Sequence, residues 1–390
     1  MNRASLPALT GARFFAAVSI VIFHYGARSL SPPLVVLSKA GPAAVSFFYV
    51  LSGTVLTWGG TDEAGQPLSG AGKFWGRRAR RILPVYYLAL AFTLPSFAQR
   101  EMVLHGGAEA TFQIVIAVAA CALLLQAFWP PISVGLNTPA WSLSCEAFFY
   151  ALWPGVVGRL HTKKPGFPWR RTLLAWLLGL VAPVVVVLLL HARLVPGRSF
   201  WALLGDVSTG EMLSRALSYF PPLRLPEFLM GIAVGHALSA TPARARSPGR
   251  DTLREAALCC VTIACAWALG AGAPERIFGV RLATRFFVEG GVLSPLLALW
   301  VWQLARGRGL LTQLLSTSAL RMLGNASYAL YVMQEPMFIY VTGSLKRLAP
   351  AAVARWDLAF WGYLALLILL SLAIHRFWEL PFRRRSSGRK

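Results

Sequence analysis

Apolar residues fall into eleven runs of roughly 20 residues, separated by short polar segments, along a chain of 390 residues. A run of this length can cross the hydrocarbon core of a bilayer as one helix. The pattern therefore predicts an all-α, polytopic transmembrane helix bundle. The runs are 9–26, 42–59, 82–98, 112–129, 140–157, 172–191, 225–240, 256–273, 286–305, 325–343 and 358–378.

Basic residues cluster between these runs, in Lys73–Arg81, Arg159–Arg171, Arg244–Arg254, Arg306–Arg308 and the tail Arg383–Lys390. If all these segments are cytoplasmic, an even number of crossings separates each pair. The count is odd only between the first two segments. We therefore predict about ten crossings, with both termini cytoplasmic, and a re-entrant segment at 130–157. The alternative is that the 158–171 loop breaks the charge rule.

The composition agrees with a membrane protein, since 56% of the residues are hydrophobic and 14% are charged. The net charge of +23 would suggest nucleic acid in a soluble protein. Here the positive-inside rule accounts for it, so we expect no nucleic-acid partner. The five cysteines lie in apolar runs at spacings that match no metal site, so we expect neither metal nor disulfides.

The domain organisation predicted is one transmembrane domain over 1–382 and a basic cytoplasmic tail over 383–390. The first run resembles a signal peptide, but Arg13 and His24 interrupt it and no clear cleavage site follows. We interpret it as a retained first span. The longest loop, 192–224, is predicted to lie outside, either presenting surface to an external acceptor or serving as an ordinary connection.

Arg13 and His24 mark the two ends of the first apolar run. Eleven residues of unbroken helix rise about 16 Å and return to within about 20° of the starting face. Ionisable groups at membrane depth are costly and rarely face lipid. A lone buried histidine is more often structural, but an anion site and a base on one helix favour a functional stripe.

Trp141 opens a polar stretch inside an apolar run. If this stretch is helical, Ser142, Glu146 and Tyr150 share one face at i, i+4 and i+8. A carboxylate in such a place needs a partner. Glu146 either forms an ion pair with a buried arginine, or orients a base or a substrate hydroxyl.

Two further stretches allow both a structural and a functional interpretation. Ser52 and Gly53 are typical of close helix packing, or of a small-residue surface that a substrate approaches. Arg77, Arg78 and Arg81 suit bidentate phosphate binding, and charge anchoring at the membrane surface explains them equally well.

Taken in order from Arg13 to Glu379, these stretches resemble the acyltransferase-3 family of integral membrane acyltransferases. No single motif is very specific, but their order covers nearly the whole chain. The matching positions are Arg13 with His24; Phe47 to Gly53; Arg78, Arg81 and Pro84; Trp141, Ser142, Leu143, Glu146 and Tyr150; Glu227, Phe228 and Gly231; Ser327, Tyr328 and Tyr331; and Glu379 with Pro381.

The resemblance implies transfer of an acyl group, commonly acetyl, from cytoplasmic acyl-CoA to a hydroxyl of a glycan or a sugar-bearing metabolite. Acyl-CoA is then a co-substrate, and no tightly bound cofactor is expected. The competing class is a transporter or flippase of lipid-linked glycans. Some family members carry a fused external hydrolase-like domain. The sequence after Glu379 carries none, so we expect any such partner to be a separate protein.

The geometry of the first helix suggests a division of roles within this reaction. Arg13, with Arg77, Arg78 and Arg81, would bind the CoA side, and His24 would be the general base. Glu146 would either orient His24 or bind the acceptor. Ser52, Trp141, Ser142 and Tyr150 would hold the acceptor or the developing oxyanion. A covalent acyl-enzyme through Ser52 or His24 stays open.

One position departs from the family pattern. Many members carry histidine where this chain has Gln334, and an amide cannot act as a base or become charged. We therefore expect the proton chemistry to depend on His24.

Overall fold

A computed structural model describes residues 5–159, 170–181, 215–241, 247–278 and 288–384. In these ranges the regular secondary structure is helical, and the β-type pairing is limited to an isolated bridge between Thr61 and Pro67. The predicted all-α fold is confirmed. Most of the 192–224 loop and residues 385–390 of the tail lie outside the described residues.

Each predicted apolar run overlaps a helix in the described residues, although the run 112–129 continues past the end of its helix at Ala122. The helices are α1 (Pro7–Val21), α2 (Pro32–Ser38), α3 (Ala43–Gly60), α4 (Ala71–Leu104), α5 (Gly107–Ala122), α6 (Trp141–Arg159), α7 (170–181), α8 (Pro221–Ala240), α9 (Pro248–Gly270), α10 (Ala273–Phe278), α11 (Ser294–Arg306), α12 (Leu310–Leu315), α13 (Ser318–Leu348), α14 (Pro350–Ala354), α15 (Trp356–Ile374) and α16 (Leu380–Arg384).

Five helical stretches in the described part of the chain are long and apolar enough to cross a membrane. They are Pro7–Ser29, Ala43–Gly60, Ala71–Leu104, Pro248–Gly270 and Trp356–Phe382. The protein is therefore an integral membrane protein by composition and helix length. The ten crossings stay a prediction.

The predicted re-entrant segment, 130–157, contains short turns followed by a long helix. The turns begin just before it: residues 126–140 include three short 3₁₀ turns, at Gln126–Phe128, Pro130–Ile132 and Thr138–Ala140. Beyond them α6 is one continuous helix of 19 residues. Irregular backbone in a membrane protein needs internal hydrogen bonds, and the Gln126 amide donates one of them to the Ala140 carbonyl (2.9 Å). Whether this segment re-enters stays a prediction.

Glycine allows two pairs of helices to approach backbone to backbone. A methyl group added at Gly53 would overlap the Phe228 carbonyl oxygen, and one added at Gly231 would overlap that of Val50, so α3 and α8 meet without intervening side chains. At Gly324 of α13 an added methyl group would overlap the Thr10 carbonyl oxygen of α1. Small residues at interfaces are how membrane helices gain packing contacts.

A buried ion pair lies at the start of α8. Arg224 and Glu227 are each 1% exposed, and the guanidinium donates to the Glu227 carboxylate (3.1 Å) and to the Ser46 hydroxyl (3.2 Å). It also lies over the rings of Tyr49 and Trp141. A buried charge pair requires such additional partners, so Arg224 ties α8 to α3 and α6.

Two buried carboxylates of α9 hold the loop between α11 and α12. Asp251 accepts from the backbone N–H of Arg308 (2.9 Å). Glu255 accepts from the backbone N–H of Leu311 (2.9 Å) and from the Thr312 hydroxyl (2.6 Å). Carboxylates at the first turn of a helix satisfy amides that have no partner within the helix, so the start of α12 is fixed on α9.

Candidate active site

A cavity of about 410 Å³ opens between α1, α3, α4, α6 and α13. Its wall combines polar with apolar residues, as is usual for small-molecule sites. The polar residues include Ser5, Thr10, Arg13, Ser52, Arg78, Arg81, Ser142, Glu146, Tyr150, Ser327, Tyr328 and Tyr331. The apolar residues include Leu6, Leu9, Val45, Phe48, Leu51, Val55 and Leu56.

Among the described residues, the charged side chains on this wall are three arginines and one carboxylate. Arg13 comes from α1, Arg78 and Arg81 come from α4, and Glu146 comes from α6. Glu146 interacts electrostatically with all three guanidiniums. Glu379, at the end of the π turn after α15, adds a second carboxylate close to Arg13. The cavity wall itself carries an excess of positive charge, which favours an anionic ligand.

The predicted face of α6 points into the cavity. Ser142, Glu146 and Tyr150 follow one another at one-turn spacing, and all three line the wall. The Tyr150 hydroxyl lies 3.0 Å from the Ser52 hydroxyl of α3 and also interacts with the Glu146 carboxylate. The structure therefore joins Ser52, Tyr150 and Glu146 into one polar group beside the arginines.

Ser142 and Tyr331 form another hydrogen-bonded pair on this wall. Their hydroxyls are 2.7 Å apart, and both lie within hydrogen-bond distance of the Pro139 carbonyl oxygen (3.0 Å from Ser142, 2.8 Å from Tyr331). Since each hydroxyl has one proton, one of them donates to the carbonyl and the other donates to its neighbour. Of the residues of α13 that line the cavity, Tyr331 is the one furthest along the helix. It marks the end of the cavity that is directed toward the second half of α1.

His24 lies just beyond that end and does not line the cavity. It sits in a π turn, Ile22–Gly26, that follows α1. Its ring nitrogen Nδ1 is 3.0 Å from Oε1 of Gln334, and the Gln334 amide nitrogen donates to the Tyr331 carbonyl (2.8 Å). One hydrogen-bonded residue thus connects His24 with the wall of the cavity.

Besides His24, two predicted site residues lie outside the cavity. Arg77 is exposed and donates to the Ser69 hydroxyl (2.6 Å). Trp141 stacks on Tyr219 with ring centroids 4.3 Å apart and packs against the guanidinium of Arg224. The other predicted residues of α1, α3, α4 and α6 converge on the cavity wall, with His24 behind it.

The contact between His24 and Gln334 is a feature that the sequence analysis missed. Ser327, Tyr331 and Gln334 recur at i, i+4 and i+7, which places them on one helix face. That spacing was the available signal, since Ser327 and Tyr331 already belonged to the resemblance. Gln334 on this face contacts His24, which is 310 positions away along the chain.

Comparison with known protein families gives an extensive match. A family model described as an acyltransferase domain, the acyltransferase-3 model, matches residues 6–376. No solved structure matches the chain. The match covers every helix that contributes to the cavity wall.

Individual proteins similar to this chain are named as acyltransferases or O-acetyltransferases. The acyltransferase MdmB of Streptomyces mycarofaciens is 30% identical over 59% of this chain and 56% of its own. The putative peptidoglycan O-acetyltransferase YrhL of Bacillus subtilis is 27% identical over 86% of this chain and 49% of its own. The peptidoglycan O-acetyltransferase OatA of Listeria monocytogenes is 24% identical over 98% of this chain and 56% of its own. The chain spans about half the length of these curated relatives.

Proposed function

Since this chain belongs to the acyltransferase-3 family of membrane acyltransferases, we propose that it transfers an acetyl group from cytoplasmic acetyl-CoA to a hydroxyl of a carbohydrate acceptor. The acceptor is a glycan or a glycosylated small molecule at or across the bacterial inner membrane. The relatives named peptidoglycan O-acetyltransferases support the acetyl group and the glycan hydroxyl.

The observation that carries the proposal is the convergence of Arg13, Arg78 and Arg81 on one cavity. Guanidinium groups bind phosphate oxygens in bidentate fashion, and acyl-CoA is rich in phosphate. The basic segment that contains Arg78 and Arg81 is assigned to the cytoplasm by its charge, which is where acyl-CoA is found. The arginines would therefore bind the phosphates, with the pantetheine arm against the apolar residues of the wall.

The reaction proposed is direct transfer. The acceptor hydroxyl attacks the thioester carbonyl, and the His24 ring takes the hydroxyl proton. A C–O bond forms, the C–S bond breaks, and the CoA thiolate leaves and takes the proton from the His24 ring. The Ser142 hydroxyl, at the Tyr331 end of the cavity wall, supports the charge that develops on the carbonyl oxygen. For this chemistry the acyl carbon has to reach the Tyr331 end of the cavity, next to His24.

Glu146 supports the donor site in this scheme. Its carboxylate balances part of the charge of the three arginines and keeps Tyr150 in place. The position of Glu146 on the arginine side of the cavity favours this role over the alternative in which it orients His24, because Gln334 makes that contact.

The test measures transfer of radiolabelled acetyl from acetyl-CoA, with membranes that contain equal amounts of each variant. General-base catalysis contributes about 10²- to 10⁴-fold, so we expect His24→Ala to lose at least 10²-fold in rate and to retain acetyl-CoA binding. His105→Ala, a change at an exposed histidine beyond the end of α4, is the matched control. Normal transfer by well-expressed His24→Ala would refute the assignment of the base.

The acceptor is identified in cells. Mass spectrometry of surface glycans and secreted metabolites from a deletion strain should show one acetyl increment missing from a single compound class. Restoration of that increment by the wild-type chain, and not by His24→Ala, would connect the compound to this site. If the deletion strain keeps an unchanged acetylation profile but loses transport of a lipid-linked glycan, acyl transfer is contradicted.

A further inference from the structure

We propose that Gln334 is a positioning residue that fixes the tautomer of His24, with the proton on Nδ1 and a free lone pair on Nε2. The inference deepens the proposed function, because it rests on His24 as the base and identifies the ring atom that takes the proton. It is carried by two hydrogen bonds of the same buried amide, which donates through its nitrogen in one and accepts through its oxygen in the other.

The first hydrogen bond fixes the orientation of the amide. The carbonyl oxygen of Tyr331 lies 2.8 Å from Nε2 of Gln334. A carbonyl oxygen only accepts, so the group that faces it has to be the amide NH₂. The reversed amide would place two acceptors against each other. The Tyr331 carbonyl therefore determines which end of the Gln334 amide is the nitrogen and which is the oxygen.

The second hydrogen bond then fixes the proton on the ring. With the NH₂ group facing Tyr331, the Gln334 oxygen Oε1 faces Nδ1 of His24 at 3.0 Å. Oε1 also only accepts, so Nδ1 has to donate. In the neutral ring the other nitrogen, Nε2, is then unprotonated, and Nε2 is the atom able to take a proton from a substrate hydroxyl.

The surroundings keep this arrangement rigid. Gln334 is 0% exposed, and its own backbone carbonyl accepts from the Tyr363 hydroxyl of α15 (2.8 Å). The Tyr331 hydroxyl is bonded to Ser142 and Pro139. Rotation of the Gln334 amide would break its own two hydrogen bonds, to Nδ1 of His24 and to the Tyr331 carbonyl, inside the protein, where an unmade hydrogen bond is costly.

An amide orients the ring without adding charge. Among the described residues, the titratable side chains near His24 on the surrounding elements include Tyr25 on its own turn, Tyr331 and Glu335 on α13, and Tyr363 on α15. Glu335 is engaged by the backbone N–H and the hydroxyl of Thr138. A carboxylate in place of Gln334 would stabilise the protonated ring, which cannot act as a base, whereas the amide leaves the ring neutral.

The direct test is the tautomer itself. Solid-state ¹⁵N NMR of histidine-labelled protein in lipid bilayers distinguishes a protonated Nδ1 from a protonated Nε2. The chain has six histidines, and the signal that disappears in His24→Ala is that of His24. We expect a protonated Nδ1 in the neutral ring of the wild type. A protonated Nε2 there would overturn the proposal.

The kinetic test compares substitutions at Gln334. We expect Gln334→Leu to lower kcat about 10-fold or more, with the KM for acetyl-CoA unchanged, because the ring loses its acceptor. Gln334→Glu keeps the acceptor for Nδ1 but loses the donor to the Tyr331 carbonyl. It should retain more activity than Gln334→Leu, with the acid limb of the pH–rate profile moved to higher pH. Gln126→Leu, a change at another buried amide without contact to His24, should leave the pH–rate profile unchanged.

The outcomes separate this inference from the proposed function. If His24→Ala transfers acetyl normally, the base assignment fails whatever the tautomer is. If His24→Ala is inactive but Gln334→Leu keeps full kcat and an unchanged profile, the base assignment stands and the positioning role of Gln334 is wrong. The wild-type NMR spectrum decides the tautomer even if Gln334→Leu does not fold.

Discussion

At the scale of single residues, Arg77 and Arg81 are one helical turn apart on α4 and lie in different surroundings. Arg81 lines the cavity opposite Glu146, whereas Arg77 is exposed and bonded to Ser69. Exposed charges gain little from an ion pair in water, and partly enclosed ones gain more. The two arginines therefore form an internal comparison for the donor site.

We expect Arg81→Gln to raise the KM for acetyl-CoA about 10- to 100-fold, since a hydrogen bond to a charged group contributes about 1.5–3 kcal/mol. Arg77→Gln should change KM less than about 2-fold. Steady-state acetyl transfer with both variants at matched expression is the measurement. An unchanged KM for Arg81→Gln would remove the arginine cluster from the donor site.

Residue spacing predicted part of this site and could not predict the rest. The face of α6 formed by Ser142, Glu146 and Tyr150 followed from one-turn spacing, because helix geometry is local. The His24–Gln334 contact joins residues 310 positions apart, and only the packing of α1 on α13 creates it. The π turn that carries His24 likewise had no signal in the pattern of apolar residues.

At the scale of elements, the neighbouring residues Ser52 and Gly53 face different surroundings. The sequence allowed two interpretations of this pair, close helix packing and a surface that a substrate approaches. The Ser52 hydroxyl lies on the cavity wall, and Gly53 brings α3 against α8. The helix pair in turn holds the Phe48 and Leu51 side of the wall in place. The packing interpretation therefore describes Gly53, and the functional interpretation stays a prediction for Ser52.

We expect Gly53→Ala to destabilise the protein by about 1–3 kcal/mol, because the new methyl group overlaps a backbone carbonyl of α8. Gly59→Ala, six residues further along α3 in open space, should be neutral or slightly stabilising. Thermal unfolding in detergent, followed by circular dichroism, compares the two. Equal midpoints for both variants would refute a backbone contact between α3 and α8.

At the scale of the whole molecule, the arginines and His24 lie at different depths of the bundle. The arginines share a cavity beside the first half of α1. His24 lies in the π turn after α1, beyond the Tyr331 end of that cavity. Charge patterning predicts the cytoplasm on the side of the basic segments. The donor is thus expected to enter from one side only, with the acceptor hydroxyl approaching the other end of the first helix.

Sealed vesicles test this orientation. Acetyl-CoA added outside inside-out vesicles should support transfer, and the same addition to right-side-out vesicles should not, because the donor cannot cross the bilayer. Both preparations should become equally active after permeabilisation with detergent. Activity of intact right-side-out vesicles alone would reverse the predicted orientation of the chain.

The anchoring of the loop after α11 affects how the protein meets proteases. Arg306 and Arg308 look like an accessible trypsin site in the sequence, since they lie in a short polar connection. Cleavage requires a segment that opens locally. Asp251 and Glu255 hold the backbone of Arg308 and Leu311 and the side chain of Thr312, so this connection resists digestion as long as α9 stays folded, and its cleavage would report the loss of α9 from the bundle.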